Sequence, residues 1–182
     1  QKAAKYLKDL NLECAFTSNL TRAQETLLII LSKQNYTGIF LHKSKKRKGW
    51  SLQLDQLDED EIPIFSSTAL NERYYGDLQG QDKKKVADKF GKETVTKWRR
   101  SYEGKPPGGE SLKDTYRRVV NYFNQVIRKH ACSHNTIVSA HGNSLRALIK
   151  YLEKIPDDDI QKLEIPLAKP IIYKCVNGEF IR

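Results

Sequence analysis

His141 stands in the stretch Ser139-Ala140-His141-Gly142-Asn143-Ser144-Leu145-Arg146, where hydroxyl, imidazole and amide groups fall within one turn of chain. Before it runs the apolar, β-branched segment Thr136-Ile137-Val138, and after it Leu145, Leu148, Ile149, Leu152 and Ile155 recur at helical spacing. The pattern predicts strand, tight turn and helix. In an α/β sheet the carboxyl end of such a strand is where ligands bind, and the free amides at a helix start attract an anion. Gly142 lets the backbone approach a ligand closely, while Asn143 or Ser144 can cap the helix. The chemistry on offer is anion binding opposite a histidine; the alternative is a histidine in an ordinary strand-to-helix turn.

Three further groups point the same way. Thr17-Ser18-Asn19-Leu20-Thr21-Arg22-Ala23 also sets small polar residues between a strand and a helix, with Arg22 in the first helical turn. The helix dipole disfavours a cation there, so Arg22 either binds an anion or is simply solvated. Arg99 and Arg100 diverge by about 100 degrees on a regular helix and could clasp a small ligand from two sides. Leu70 to Gly80 is a loop dense in hydrogen-bonding groups and glycine.

The elements that must position these groups alternate. Lys2 to Leu10 reads as a surface helix, then Leu12, Cys14 and Phe16 as a short strand followed by a helix through Leu31. Ile62 to Phe65 returns to strand character, and Lys83 to Phe90 and Val95 to Tyr102 to helix. After the break Pro106-Pro107-Gly108-Gly109, Ser111 with Asp114 resembles a capping pair ahead of the amphipathic run from Leu112 to Val126. Pro156 and three aspartates start a short acidic helix; Ile171 to Val176 reads as a strand and Asn177-Gly178 as a hairpin turn. Such alternation predicts an α/β fold with a mostly parallel sheet and helices on both faces.

The chain of 182 residues is expected to form a single domain with a proper core. It opens on Gln1 and holds no Met, which suggests a piece of a longer protein. It shows no signal peptide and no membrane-spanning apolar run. Cys14, Cys132 and Cys175 lack metal-ligand spacing and read as free thiols of a reducing compartment, which favours the cytoplasm. A net charge of +10 suits anionic partners without naming one. From Tyr36 to Glu61 the periodicity breaks, and a basic run, His42 to Lys48, faces an acidic one, Asp55 to Glu61. We read a long exposed loop; a nucleic-acid role for the basic run is disfavoured against a solvated insertion.

Thr17 to Thr26 (TSNLTRAQET), Leu70 to Gly80 (LNERYYGDLQG), Trp98 to Tyr102 (WRRSY), Gly109 to Asp114 (GESLKD) and Ser139 to Arg146 (SAHGNSLR) together resemble the cofactor-dependent phosphoglycerate mutases of the histidine phosphatase superfamily. The five motifs keep the family's order over nearly the whole chain. The resemblance implies that His141 is the second active-site histidine and that Glu72 exchanges a proton with the substrate hydroxyl. It implies phosphate binding by Arg22, a substrate clasp by Arg99 and Arg100, and ligand contacts from Tyr75, Lys83, Gly142 and Asn143.

The activity so implied is glycolytic interconversion of 3- and 2-phosphoglycerate through a phosphohistidine primed by 2,3-bisphosphoglycerate, without metal. Partners would be small phosphorylated acids, with no membrane and the oligomeric state left open. The family carries its nucleophile in an arginine-histidine-glycine motif on its first strand, and no such triplet occurs here. The chain is therefore expected to lack that strand, to leave a gap in the sheet, and not to perform the transfer unaided. A related histidine phosphatase, a bisphosphoglycerate mutase or phosphatase, and a non-catalytic paralogue are the alternatives.

Overall fold

A computed structural model describes residues 2–41 and 54–182. The chain gathers into two compact units, the first formed by Gln1–Asn71, Asn124–Ala140 and Pro166–Arg182, the second by Glu72–Phe123 and His141–Ile165.

The first unit is built on four parallel strands, β1 (Cys14–Ser18), β2 (Thr37–Phe40), β3 (Glu61–Ser67) and β4 (Thr136–Ser139), in the order β2-β3-β1-β4. Every residue of β1 is buried, as expected for a central strand covered on both faces. Ala15 faces Ile64 in register, and around them Leu12, Leu27, Leu31 and Ile62 form a core against helix α2 (Thr21–Ser32). Helix α1 (Lys2–Leu7) adds Ala4 and Leu7 beside Ile30. One residue on, the pleat turns Phe16 and Phe65 to the other face, where their rings stack at 5.1 Å and His130 of α6 (Arg128–Ala131) tilts against both. Burial holds the His130 imidazole below its ordinary pKa, with Lys129 and His134 adding to the effect. The expected parallel sheet with helices on both faces is what this unit shows, but the expected gap is not seen among the described residues, because β1 pairs directly with β3 on one side and β4 on the other.

Three differences from the sequence reading are physical in origin. Tyr36 to Glu61 does not start as loop: Thr37–Phe40 is the edge strand β2, paired with Glu61–Ile64 of β3. Its residues, Thr37-Gly38-Ile39-Phe40, do not alternate polar with apolar. The basic run His42 to Lys48 lies outside the described residues. At the other end only Lys174–Val176 (β5) of the expected strand is paired, with Glu179–Ile181 (β6), through the anticipated Asn177-Gly178 turn at positive φ. Cys132 and Cys175 are not free thiols but a disulfide, 43 residues apart in sequence. Cys14 stays free and buried, its thiol pushed up by burial.

The second unit is helical: α3 (Lys83–Phe90), α4 (Lys92–Arg100), α5 (Leu112–Tyr122) and α7 (Gly142–Leu152). Gly91 at φ +84 separates α3 from α4, and Phe90 meets Trp98 edge-on at 5.4 Å across that corner. Ser111 and Asp114 form the predicted capping box. Between α5 and α7, Tyr102, Tyr116, Tyr151 and Phe123 pack edge to face around Lys150, which is 7% exposed. Its ammonium donates to the Ile155 carbonyl, pairs with Asp157 at 2.7 Å and lies over the Tyr102 and Tyr116 rings. Burial, then the Asp157 charge, raises the Tyr102 phenol to about 12.

Candidate active site

Both segments of the second unit begin just past the carboxyl end of a strand, Glu72 five residues after β3 and His141 two after β4. Those strand ends are locked in the first unit. The Thr17 hydroxyl donates to the Ser139 carbonyl, the Ser139 hydroxyl to the Ala23 carbonyl, and the Asn19 amide to Asn71 Oδ1.

His141, 7% exposed, occupies the N-cap of α7, so the cap falls on the histidine rather than on Asn143 or Ser144. Ser144, three residues on, reaches back: its Oγ accepts from the His141 amide and donates to the His141 carbonyl, both at 3.1 Å. Glu72 is half-buried, and its Oε1 accepts from the Arg73 amide at 2.8 Å and from the Asn143 amide at 3.2 Å. The carboxylate therefore sits on an orphan amide of the α7 start, where the dipole favours negative charge. A Cβ at Gly142 would stand 3.9 Å from Glu72 Oε2, so glycine keeps the space before that oxygen open.

The backbone of Glu72 is held by a second set of groups. Arg118 grips Glu110 in a two-pronged fork at 2.8 Å on each arm and extends Nη2 to the Glu72 carbonyl at 3.3 Å. Glu110 also accepts the Tyr74 amide, and its own amide donates to the Tyr74 carbonyl. Burial would raise the Glu110 carboxyl, but Arg118 and the Tyr74 amide outweigh it and hold the group below its ordinary value.

Cations from several elements of the second unit accompany Arg73 of this loop. Arg73 is 1% exposed; Nη2 donates to Tyr75 Oη at 3.1 Å and to the Arg99 carbonyl at 3.3 Å, while Nε and Nη1 are buried without a hydrogen-bond partner among the described residues. Its guanidinium lies 4.7 Å from the Tyr75 ring centre and that of Arg99 5.6 Å. Tyr75, Lys83 and Arg99 line one cavity of about 220 Å³ with Gln79, Gln81 and Trp98. Arg100 lines a separate, shallower hollow with Lys92 and Lys97, so the two arginines face different spaces, as their helical divergence required. Burial, then Arg100 and Arg73, hold the Arg146 guanidinium below its usual value.

Of the residues singled out from sequence, Glu72, Tyr75, Lys83, Arg99, Arg100, His141, Gly142 and Asn143 belong to the second unit, and Arg22, exposed on the first turn of α2, to the first. The sequence reading passed over Arg73, Arg146, Glu110 and Arg118. Arg73 and Arg146 stood inside quoted motifs, but nothing in their local sequence set them apart from solvated arginines. Among the described residues no group of three or more His, Cys, Asp or Glu could hold a metal ion, and no helix is long and apolar enough to cross a membrane.

Comparison with known proteins places this geometry. The family model for the histidine phosphatase superfamily (branch 1) matches residues 54–181. The chain is similar to the 2,3-bisphosphoglycerate-dependent phosphoglycerate mutase of Methanosarcina mazei, 42% identical over 188 residues covering 100% of this chain and 78% of that one. It is 43% identical to the protein of the same name from Chlamydia abortus, over 99% of this chain and 81% of that one. Its fold is similar to that of the α-ribazole phosphatase from Shigella flexneri, with a TM-score of 0.69 at 15% identity over 99% of this chain and 76% of that one. With a carboxylate on a helix start, a buried guanidinium beside it and relatives of this kind along its whole length, the chain belongs to the histidine phosphatase superfamily.

Proposed function

We propose that the protein is a phosphoglycerate mutase, interconverting 3- and 2-phosphoglycerate with 2,3-bisphosphoglycerate as primer. The observation that carries this reading is Arg73, a buried guanidinium with no carboxylate paired to it among the described residues, on the loop that bears Glu72 and Tyr75. A buried cation without a counter-charge is costly, and an anionic ligand supplies one. Phosphoryl transfer needs donors and cations preorganised around the oxygens, and the isomerisation needs a group that takes and returns a hydroxyl proton.

In this reading Glu72 handles that proton and His141 holds the phosphoryl group, while Arg22 of the first unit keeps the phosphate-binding role that its motif implies. Arg99, from the cavity it shares with Tyr75 and Lys83, and Arg100, from its separate hollow, would reach the acid from two sides, and Tyr75, Lys83, Gly142 and Asn143 complete the contacts. The residues that would hold the primer are Arg73, Arg99, Tyr75 and Asn143; when bound it supplies the phosphoryl group. None of His42, His130, His134 and His141 lies between an arginine and a glycine, so we assign the phosphoryl-accepting role to none of them. We take residues 1–182 as one phosphoglycerate mutase-like domain carrying a charged insertion, and the cytoplasm as its compartment. Reducing compartments keep disulfides open, so thiol trapping in cells tests that placement at Cys132 and Cys175.

The deciding experiment follows conversion of 3-phosphoglycerate, with and without 2,3-bisphosphoglycerate, by this chain and by a version preceded by an arginine-histidine-glycine strand. Primer-dependent conversion only in the extended version is expected. Release of inorganic phosphate in place of conversion would replace the mutase with a phosphatase.

A further inference from the structure

Arg146 has no part in the reading above, yet its hydrogen bonds are directional. It stands one turn after Asn143 on α7, with Nη1 3.1 Å from Asn143 Oδ1 and Nε 3.0 Å from the Leu163 carbonyl oxygen. A guanidinium only donates, so the atom of the Asn143 amide that faces it must be the oxygen. The amide nitrogen is thereby turned the other way, where Tyr75 Oη lies 3.4 Å off. The same phenol oxygen accepts from Arg73 Nη2 at 3.1 Å. With both lone-pair positions taken by N–H donors, the Tyr75 hydroxyl keeps its own proton for a third partner.

We propose that Arg146 is a positioning residue: by donating to Asn143 Oδ1 it sets the direction Arg146 to Asn143 to Tyr75, and leaves the Tyr75 O–H to donate to an anionic oxygen of the ligand. The proposal rests on the mutase reading for the identity of that ligand as a phosphorylated acid. Without the Arg146 donor the amide is free to turn over. Its oxygen would then accept the Tyr75 proton, and the anion would lose a donor.

A double-mutant cycle tests this, with Arg146→Met and Tyr75→Phe measured singly and together by calorimetry on the full chain, using 3-phosphoglycerate and inorganic phosphate as separate probes. Each single change is expected to weaken binding about tenfold, the scale of a hydrogen bond to a charged group. The pair together should bind no more than about twofold more weakly than Tyr75→Phe alone, because Arg146 acts through that hydroxyl. Additive losses, or undiminished binding in either single variant, would overturn the proposal. Should Arg146→Met not fold, Arg146→Lys and Arg146→Gln carry the same test. Lysine, a donor only, should restore affinity and glutamine, which can present either atom, should not; equal behaviour of the two sinks the idea. Phosphate binding without 3-phosphoglycerate binding would remove the mutase reading while the phosphate cycle still decides Arg146. Binding of neither probe by the unchanged chain would remove both.

Discussion

Arg73 stores a cost that an anionic ligand would relieve. Its burial, with two nitrogens unpartnered among the described residues, burdens the fold. Arg73→Met is therefore expected to keep or raise the melting temperature while weakening 3-phosphoglycerate binding by about 1.5–3 kcal/mol, roughly the value of a charged hydrogen bond. A lower melting temperature with unchanged affinity would make Arg73 structural. Glu110 predicts a pH effect of definite sign. Its folded carboxyl lies below the ordinary 4.5, so the stability it contributes is present above that pH and is lost as pH falls through the folded value. Glu110→Gln should cost about 1–3 kcal/mol at pH 7 and flatten the acid limb of the stability curve, as read from urea unfolding at pH 3 to 7. The types and spacing of Glu72, Tyr75, Asn143 and His141 were visible in the chain through their motifs. The clamp was not, because Glu110 and Arg118 reach the Glu72 loop across at least 36 residues.

The loop that carries Glu72 owes its path to one turn. Gly76 sits at φ +58, and a Cβ there would overlap the Pro107 carbonyl oxygen and the Gly109 amide nitrogen. Gly76→Ala thus meets both a left-handed backbone and a closed space, and should cost about 2 kcal/mol or more, with 3-phosphoglycerate affinity falling alongside stability. Unfolding curves and calorimetry on the same variant check both. The neighbouring capping box is a purely local device, and Ser111→Ala should cost about 1 kcal/mol without altering affinity. Local devices were legible: the box, the Asn177-Gly178 hairpin and the strand-to-helix unit around His141 all follow from residues a few positions apart. Edge strand β2 was not, since its four residues gain strand character only by pairing with β3.

At the scale of the molecule, the Cys132–Cys175 bond closes a long loop that includes all of α7. Constraint of the unfolded chain by such a loop is worth about 3–4 kcal/mol. Thermal unfolding with and without a reductant, and of Cys132→Ser, should show a loss of that size, and an unchanged midpoint would refute it. The bond also marks the limit of reading a chain in one dimension. Composition and periodicity by themselves determined the alternating α/β architecture, because burial of a sheet on both faces imprints apolar periods on the elements that cover it. The motifs determined which residues to watch, partly because anion binding at strand ends calls for particular local side chains and partly because their order resembles that of a known family. Only the tertiary structure decided which cysteines meet, which arginine is buried with nitrogens left unpaired among the described residues, and which way the Asn143 amide must face. Those outcomes depend on distances between residues far apart in sequence and on water excluded from between them, and no local pattern encodes either.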